Sequence, residues 1–429
     1  MLMYSKVIAV IVAFFFVSFT FVSLNIVAET NSPAQYSVVG KISLPSGYSM
    51  ANTNTLPFAY LQTTNTIFAF AQKTTTGAIY LLALTTAGVL RGSPIRFSGG
   101  VAGFYAYDQK DGRLFYAGGS TIWGYTKIIA VSTSSYKVVA NYSIPPKYSS
   151  GYYLTNVPIS SFAYNPTNGM LYVTGWFQSM NYVVLFNART NALIHAIPLY
   201  YADYVIYDAR NSLVYALYMP YSASATGVAA ISGSQVVGRL SLLNEYQSWP
   251  GAAILNTQNS VLFVYSLNEA ETNCPSVVGV NTTTMSALGD WSMGVPSYGD
   301  TLYPPSYADS RGYAYGNYVI SGGGVVNWCD FPPGTLPTTS LEYAINTGSL
   351  VASSPINAGA SILSVPQLQA NFVSLSGTAK AGYHVNVYSA STGKLLAQIP
   401  GTFVPFGYNV ASNIVYAAGA NNYIYKISG

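Results

Sequence analysis

The chain alternates short apolar runs with tight polar turns, and this pattern repeats along almost its whole length. The segment from Ser161 is SFAYNPTNGMLYVTG and is followed by YVVLFNARTNALIHAIPL. Equivalent segments begin at Phe104, with FYAYDQKDGRLFYAGG, and at Tyr204, with YVIYDARNSLVYALY. Each unit contains four strand-like runs, named A to D in chain order, and units recur roughly every 40 to 50 residues. Four-stranded units at this spacing predict an all-β fold, a β-propeller.

The turns within each unit carry residues that favour hairpins. Asn, Asp, Gly and Pro accept positive φ or cap their own backbone. The aspartates of these turns, Asp108, Asp111 and Asp208, are therefore assigned to turn chemistry rather than to a functional site. The A–B turns are 165–169, 108–112 and 208–211, and C–D turns are 188–191 and 391–394.

The two ends of the chain together supply one further unit. Val404–Asn409, Ile414–Ala418 and Tyr423–Ile427 have the pattern of strands A, B and C, and no strand D follows them. Tyr36–Pro45 has the pattern of a strand D with no A, B or C before it. Pairing of these ends closes a ring without an open sheet edge. Seven complete units begin near Leu56, Gly103, Ser160, Ala202, Gly251, Tyr303 and Gly359.

Seven complete units and one shared unit predict eight four-stranded blades. Seven blades is the alternative, if the unit over Tyr303–Asn357 is irregular.

The N-terminus has the pattern of an export signal. Lys6 precedes an unbroken apolar run over Val7–Val22, and Ala28 ends a plausible cleavage site. An uncleaved signal anchor is the alternative, because the run nearly reaches the roughly 20 residues that span a bilayer. We therefore expect residues 1–28 to be a signal peptide or signal anchor and 35–429 to be a single propeller domain. The protein is expected outside the cell or on its surface, with membrane contact only through the N-terminal segment if it is uncleaved.

The composition agrees with export and excludes one class of partner. Charged residues make up 7% of the chain, which contains 39 tyrosines and only 13 Asp plus Glu. Acid denaturation proceeds mainly by protonating carboxylates that are paired in the folded state. A chain with few carboxylates should resist it, which favours an acidic extracellular setting. Large secreted β-proteins are often rich in Ser, Thr and Tyr, which is the alternative explanation. The 17 Lys and Arg are scattered and form no basic run, so we expect no nucleic-acid partner.

Cysteines and sequons predict two covalent modifications. Cys274 and Cys329 both fall between strands B and C, in consecutive units. An even count in an exported chain favours a disulfide bond. The alternative is two free or metal-binding thiols, but no CxxC spacing or nearby histidine supports a metal. Asn141 and Asn281 begin sequons and are candidate N-glycosylation sites of a glycoprotein.

The search for catalytic chemistry favours a protein without enzymatic activity. His195 and His384 have no metal-binding neighbours in the sequence, and no nucleophile elbow is present. We therefore expect no catalytic residue, no metal and no cofactor. The alternative is an extracellular hydrolase or lyase that uses acids of the B–C and D–A connections. Those acids are Glu245, Glu269, Glu271, Asp290, Asp300 and Asp330.

The B–C and D–A connections lie on one side of a propeller, here named the loop rim, and they are rich in aromatic residues. Flat rings with a polar tip suit recognition of sugars and of protein partners. The alternative is that these rings fold down over the blades as a secondary core. The candidate ligand-binding residues are Tyr152, Tyr153, Trp176, Tyr246, Trp249, Trp291 and Trp328.

The A–B segments FAYNPTNGMLYVTG, VIYDARNSLVYALY and AYDQKDGRLFYAGG resemble the YVTN-type β-propeller repeat family. The best match is Phe162–Ile197, and Tyr388–Lys394 matches the second hairpin of that repeat. The unit from Tyr303 departs from the pattern and carries a long insertion over Ser321–Thr339. The resemblance implies the propeller fold and an exported surface location with a binding or adhesive role. It implies no catalytic residues.

These observations predict a cell-surface or secreted propeller that acts as a non-enzymatic binding or adhesion module. Its expected partner is a glycan or a surface protein. Besides the hydrolase or lyase, a second alternative is an architectural component of a surface layer or filament, which would self-associate.

Overall fold

The structure is a computed structural model that describes Tyr36–Gly429 with internal gaps. Residues 35–429 belong to one compact unit. The ranges left out are 52–57, 99–100, 122–123, 149–156, 176–181, 221–225, 243–247, 257–259, 269–275, 293–300, 303–306, 309–313, 320–339, 346–349, 352–360, 375–383, 391, 393 and 420–421.

The regular secondary structure of the described part of the chain is almost entirely β-strand. It contains 34 strands and two short 3₁₀ helices, Pro146–Tyr148 and Pro366–Leu368. The prediction of an all-β fold is confirmed. None of the helices within the described ranges is long and apolar enough to cross a membrane.

The strands of the first half follow the predicted A-to-D order. A single strand, β1 (Val38–Ser43), precedes unit 1, which has five strands, and units 2 to 4 have four strands each. Unit 1 contains β2 (Tyr48–Met50), β3 (Ala59–Leu61), β4 (Thr66–Lys73), β5 (Ile79–Thr85) and β6 (Ile95–Phe97). Unit 2 contains β7 (Val101–Asp108), β8 (Arg113–Thr121), β9 (Gly124–Ser132) and β10 (Val138–Tyr142). Unit 3 contains β11 (Ile159–Asn165), β12 (Met170–Gly175), β13 (Tyr182–Asn187) and β14 (Leu193–Pro198). Unit 4 contains β15 (Tyr204–Asp208), β16 (Leu213–Tyr218), β17 (Gly227–Ser232) and β18 (Gln235–Ser241).

The second half continues the same order. Unit 5 contains β19 (Ser248–Asn256), β20 (Val261–Asn268), β21 (Ser276–Asn281) and β22 (Ser286–Ser292). Unit 6 contains β23 (Thr301–Leu302), β24 (Tyr307–Ala308), β25 (Ala314–Val319), β26 (Ser340–Ile345) and β27 (Leu350–Val351). Unit 7 contains β28 (Ser361–Val365), β29 (Ala370–Ser374), β30 (His384–Ser389) and β31 (Leu395–Pro400). Unit 8 contains β32 (Phe403–Asn409), β33 (Ile414–Gly419) and β34 (Tyr423–Ser428), together with β1.

The first and last strands pair as the sequence predicts. β1 runs antiparallel to β34, with Val38 opposite Ile427 and Ser43 opposite Tyr423. The amide of Ser37 also donates to the Ser428 hydroxyl over 3.1 Å. The N-terminal strand therefore completes the sheet to which the C-terminal strands belong.

The core lies between neighbouring units. Successive strand-B residues point to opposite faces of a sheet, so Leu171 packs with unit 2 whereas Tyr172 packs with unit 4. Buried apolar clusters of this kind join units 1 to 5 in order and also join units 7, 8 and 1. β19 of unit 5 contacts β24 of unit 6. The junction between units 6 and 7 lies outside the described side chains, and a closed ring of eight blades stays a prediction.

The A–B turns are capped by buried polar side chains at the ends of strand A. Asp108 and Asp208 are each 1% exposed. Their carboxylates accept hydrogen bonds from the backbone amides two and three residues further on. Asn409 accepts from its turn in the same way. The assignment of Asp108 and Asp208 to turn chemistry is thus confirmed.

Six D strands share a β-bulge near their first residues. In six of the described D strands, one residue has no partner on strand C, and the ladder resumes one residue later. Strand D is the edge strand of its sheet, and a bulge twists an edge away from pairing with another chain. The unpaired residue is aliphatic each time: Val39, Val139, Ile194, Val237, Leu288 and Leu396.

Candidate functional site

Most of the predicted rim aromatics fall outside the described residues. Trp249 lies in β19, opposite Leu267, and Trp291 lies in β22, opposite Val277, but only the backbone of these two tryptophans is described. Recognition by these rings stays a prediction. The residues outside the described ranges are Tyr152, Tyr153, Trp176, Tyr246 and Trp328, as well as Cys274 and Cys329 of the predicted disulfide.

The two sequons occupy different environments. Asn141 is exposed in β10, where it lies opposite Ile129. The side-chain oxygen of Asn281 accepts hydrogen bonds from the amides of Thr283 and Thr284, at 2.9 and 3.1 Å. Asn281 therefore shapes the C–D turn of unit 5, and glycosylation of either residue stays a prediction.

The residues considered for catalysis are not brought together in the described part of the chain. His195 is exposed in β14 of unit 3, and His384 begins β30 of unit 7. Asp290 is placed in β22 by its backbone alone. The other acids of the hydrolase alternative, Glu245, Glu269, Glu271, Asp300 and Asp330, lie outside the described ranges.

An open pocket of about 410 Å³ lies between units 3 and 4. Tyr182 begins a strand C, Pro198 ends a strand D and Tyr218 ends a strand B. These strand ends meet the B–C and D–A connections, so the pocket opens on the loop rim. Its lining residues are Tyr182, Pro198, Leu199, Tyr200, Tyr218, Pro220 and Arg239.

The connection between β14 and β15 forms one wall and is fixed by hydrogen bonds to its neighbours. The amide of Met219 donates to the carbonyl of Tyr200 over 2.9 Å, and the amide of Asp203 donates to the carbonyl of Leu217 over 3.1 Å. The hydroxyl of Thr174 donates to the Asp203 carbonyl over 2.9 Å. The wall is therefore held by strand B of both units.

The opposite wall depends on a glycine. Tyr218 lies opposite Gly227 in the sheet, and a Cβ at Gly227 would stand 2.7 Å from the Tyr218 ring. The missing side chain lets the ring lean across β17 towards β18. There the guanidinium of Arg239 lies 5.6 Å from the ring centroid, within cation–π range. Tyr218 is 5% exposed, whereas Arg239 is exposed at the pocket mouth.

Two tyrosines on the unit 3 side continue the aromatic surface. The rings of Tyr148 and Tyr182 meet edge to face with centroids 5.4 Å apart. Lys147 places its ammonium 5.0 Å from the centroid of the Tyr148 ring. The rings of Tyr148, Tyr182 and Tyr218 are here named the aromatic row. A cation lies against its first and last members, Lys147 in the connection before unit 3 and Arg239 on unit 4.

Tyr200 and Tyr201 form a close pair at the same edge. Their ring centroids are 3.9 Å apart, and the hydrogen bond between the two side chains is the main cause that raises the pKa of Tyr200. Tyr201 takes up the left-handed conformation, with φ +49°. That turn brings the two rings together.

The lining provides apolar ring faces, tyrosine hydroxyls and one guanidinium. Neither a carboxylate nor an imidazole is among its seven residues. Such a surface can stack on a ligand and donate hydrogen bonds to it.

Comparisons with known proteins identify the fold. The propeller of Dos1 matches with a TM-score of 0.50 at 9% identity, and the match covers 92% of this chain and 95% of that one. The chain is a β-propeller. BamB from Moraxella catarrhalis matches with a TM-score of 0.46 at 12% identity, covering 92% and 100% of the two chains. Hydrazine synthase of Kuenenia stuttgartiensis matches at 0.48 and 13% identity, covering 76% and 94%.

Identities this low show the fold of the propeller and nothing about its ligand. No family model and no curated protein matches the chain. Membership of the YVTN-type repeat family therefore stays a prediction.

Sequence reasoning placed the recognition surface on the loop rim but did not select the residues of this pocket. The sequence contains one usable signal, a tyrosine and a proline two residues apart at a strand end. It occurs as Pro198 and Tyr200, and again as Tyr218 and Pro220. No local pattern marks Arg239, because its partner ring lies two strands away.

Proposed function

We propose that this propeller is an exported binding module that recognises carbohydrate through the pocket between units 3 and 4. The observation that carries the proposal is the row of tyrosine rings in an open pocket on the loop rim. Loop ends on a rigid sheet scaffold are where binding residues concentrate.

The shape and chemistry of the pocket support a sugar ligand. A volume of about 410 Å³ is in the range of small-molecule sites. Tyrosine rings offer flat apolar faces to the C–H face of a pyranose, while their hydroxyls and the Arg239 guanidinium donate hydrogen bonds to sugar oxygens.

Export is supported by the N-terminal sequence. Val7–Val22 is an apolar run of the kind found in signal peptides, and only 7% of the residues are charged. N-terminal sequencing of the secreted protein is expected to begin after Ala28. An intact N-terminus in the membrane fraction would instead support a signal anchor.

The binding proposal is tested with residues 29–429 on a glycan array, followed by titration of the glycans that bind. We expect Tyr182→Ala and Tyr200→Ala to lose most of the binding, because these two lining tyrosines are partly exposed. The matched control is Tyr423→Ala, because Tyr423 also begins a strand C and also carries a cation, Lys41, 4.2 Å from its ring. Tyr423 lies in unit 8, so its variant should bind as the wild type does.

Two results would overturn the proposal. Wild-type protein that binds no glycan would remove its basis, and capture of a surface protein by the same face would then favour the protein partner. Pocket variants that keep the wild-type glycan profile would move recognition elsewhere on the loop rim. Trp249→Ala and Trp328→Ala would then test the rings first predicted from the sequence.

A further inference from the structure

We infer that the sugar bound between units 3 and 4 is acidic, with its negative group held by Arg239. This inference rests on the proposed function and adds the chemical class of the ligand. It follows from the position of the two cations, from the lack of an acid among the lining residues and from the low charge of the chain.

Arg239 is held at the mouth of the pocket with its donors available. Its guanidinium lies 5.6 Å from the centroid of the Tyr218 ring, and within the described residues this group has no hydrogen bond and no ion pair. A cation–π contact of this kind leaves the N–H donors of a guanidinium unused. A planar fork of N–H donors matches a carboxylate or a sulfate in two-point contact.

Lys147 adds a second positive charge at the other end of the aromatic row. Its ammonium lies over Tyr148, whose ring contacts Tyr182 of the pocket lining. In a chain with only 17 Lys and Arg among 429 residues, two cations that flank one set of rings form a local positive field.

No acidic side chain stands beside Arg239 among the residues that line the pocket. A neutral sugar would leave the charges of Arg239 and Lys147 unused, whereas an acidic one would pair with them.

The test compares tetragalacturonic acid with its methyl ester, which has the same shape without the charge. Calorimetric titration of residues 29–429 is expected to show about tenfold tighter binding of the acid, because charge-assisted hydrogen bonds exceed neutral ones. The preference should shrink as salt is raised, since both cations are exposed. A sulfated galactose tetramer, titrated in parallel, distinguishes a carboxylate ligand from a sulfate ligand.

Arg239→Gln should remove most of the preference for the acid and weaken binding of the ester much less, and Arg239→Lys should restore the preference in part. The control is Arg96→Gln, which makes the same change in net charge on the exposed β6 of unit 1. Equal binding of acid and ester, or loss of the preference in the control, would overturn the inference.

The outcomes separate the two proposals. Binding of neutral glycans alone, lost in Tyr182→Ala, would overturn the acidic ligand and leave the binding module standing. Absence of binding to any sugar would overturn both.

Discussion

The hydroxyl of Tyr172 in unit 3 donates a hydrogen bond to the carbonyl of Gly233 in unit 4, over 2.8 Å. Tyr172 is fully buried, and the side-chain amide of Asn168 donates a hydrogen bond to the Tyr172 hydroxyl over 2.9 Å. Tyr215 makes the equivalent bond from unit 4 to Thr282 of unit 5, over 3.1 Å. Strand-B tyrosines therefore join neighbouring units by a polar contact as well as by packing.

Removal of this hydroxyl should weaken the junction between units 3 and 4. We expect Tyr172→Phe to lower the free energy of unfolding by about 1 kcal/mol, because the partly buried Gly233 carbonyl loses its hydrogen bond and the Asn168 side-chain amide loses its acceptor. Urea denaturation followed by tryptophan fluorescence measures the change. An unaltered midpoint would mean that water replaces the hydroxyl at Gly233.

Tyr116 provides the matched control for that variant. It is fully buried in strand B of unit 2, but among the residues that the structure describes its hydroxyl has no hydrogen-bond partner, and burial raises its pKa. Tyr116→Phe removes the same atom without breaking a bond, so stability should stay the same or rise. A loss as large as that of Tyr172→Phe would contradict this account.

Asn371 should be a stabilising site in unit 7. It is fully buried in β29, at the position held by Leu171 in unit 3, and within the described part of the chain neither atom of its side-chain amide has a hydrogen-bond partner. Its neighbour Phe372 packs with unit 8, so alternation directs Asn371 towards unit 6. Asn371→Leu is expected to raise the melting temperature, since the cost of an unpaired buried amide is removed.

The reciprocal variant Leu171→Asn places the same amide in an apolar junction. It should destabilise the protein by about 2 to 4 kcal/mol, through lost burial and an unpaired polar group. A lower melting temperature for Asn371→Leu would show instead that the amide binds a group at its junction.

The stability of the fold should decrease at alkaline pH rather than at acidic pH. Burial and the adjacent Tyr416 raise the pKa of Tyr60 from 10.0 to about 12. Between pH 10 and pH 12 the folded state keeps a proton that the unfolded state has released. The contribution of Tyr60 to the free energy of unfolding is therefore fully present below pH 10 and is lost as the pH rises towards 12. Denaturation midpoints should therefore fall above about pH 10, and Tyr60→Phe should reduce that fall. With 13 Asp plus Glu in the chain, a steep loss in acid would contradict the prediction.

The pairing of β1 with β34 can be tested by truncation. Removal of residues 1–34 should leave stability unchanged, whereas removal of residues 1–45 exposes the edge of β34 and the buried core around Ile424. We expect the longer truncation to unfold at lower temperature and to associate through the open edge. Sedimentation velocity and calorimetry measure both effects, and equal behaviour of the two truncations would refute the role of β1.

Strand order and end pairing were predictable because they depend on local signals. Turn residues such as Asp108 and Asp208 and the alternation of apolar positions are visible in a single unit. The unmatched D-like segment at Tyr36–Pro45 indicated its own partner, since no other strand D was missing.

The D-strand bulges were not predicted, although the sequence carries their signal. A pair of aliphatic residues, such as Val138 and Val139, breaks the alternation directly after the C–D turn. In alternating order one of the two would face the core, whereas the bulge leaves Val139 46% exposed. The pair indicates an extra residue only when several units are compared in register.

The residues of the pocket could not be predicted, because they come together only through contacts between strands that are separate in the sequence. Arg239 reaches Tyr218 across β17 only because Gly227 has no side chain. Tyrosine also occurs both at strand ends on the loop rim and in the packed interior between units. The residue type alone therefore does not tell an exposed tyrosine from a buried one. Position along the strand decides between these roles, and it depends on where each strand ends.

The pairing of β1 with β34 also determines how the molecule responds to a mechanical load. If the residues before Tyr36 tether the protein to a cell, tension on the tether reaches the propeller through β1. A pull along β1 is shared by all of its hydrogen bonds to β34, whereas a pull that separates the adjacent ends at Ser37 and Ser428 breaks them one after another. The direction of traction would therefore decide whether a surface-attached molecule holds or peels open.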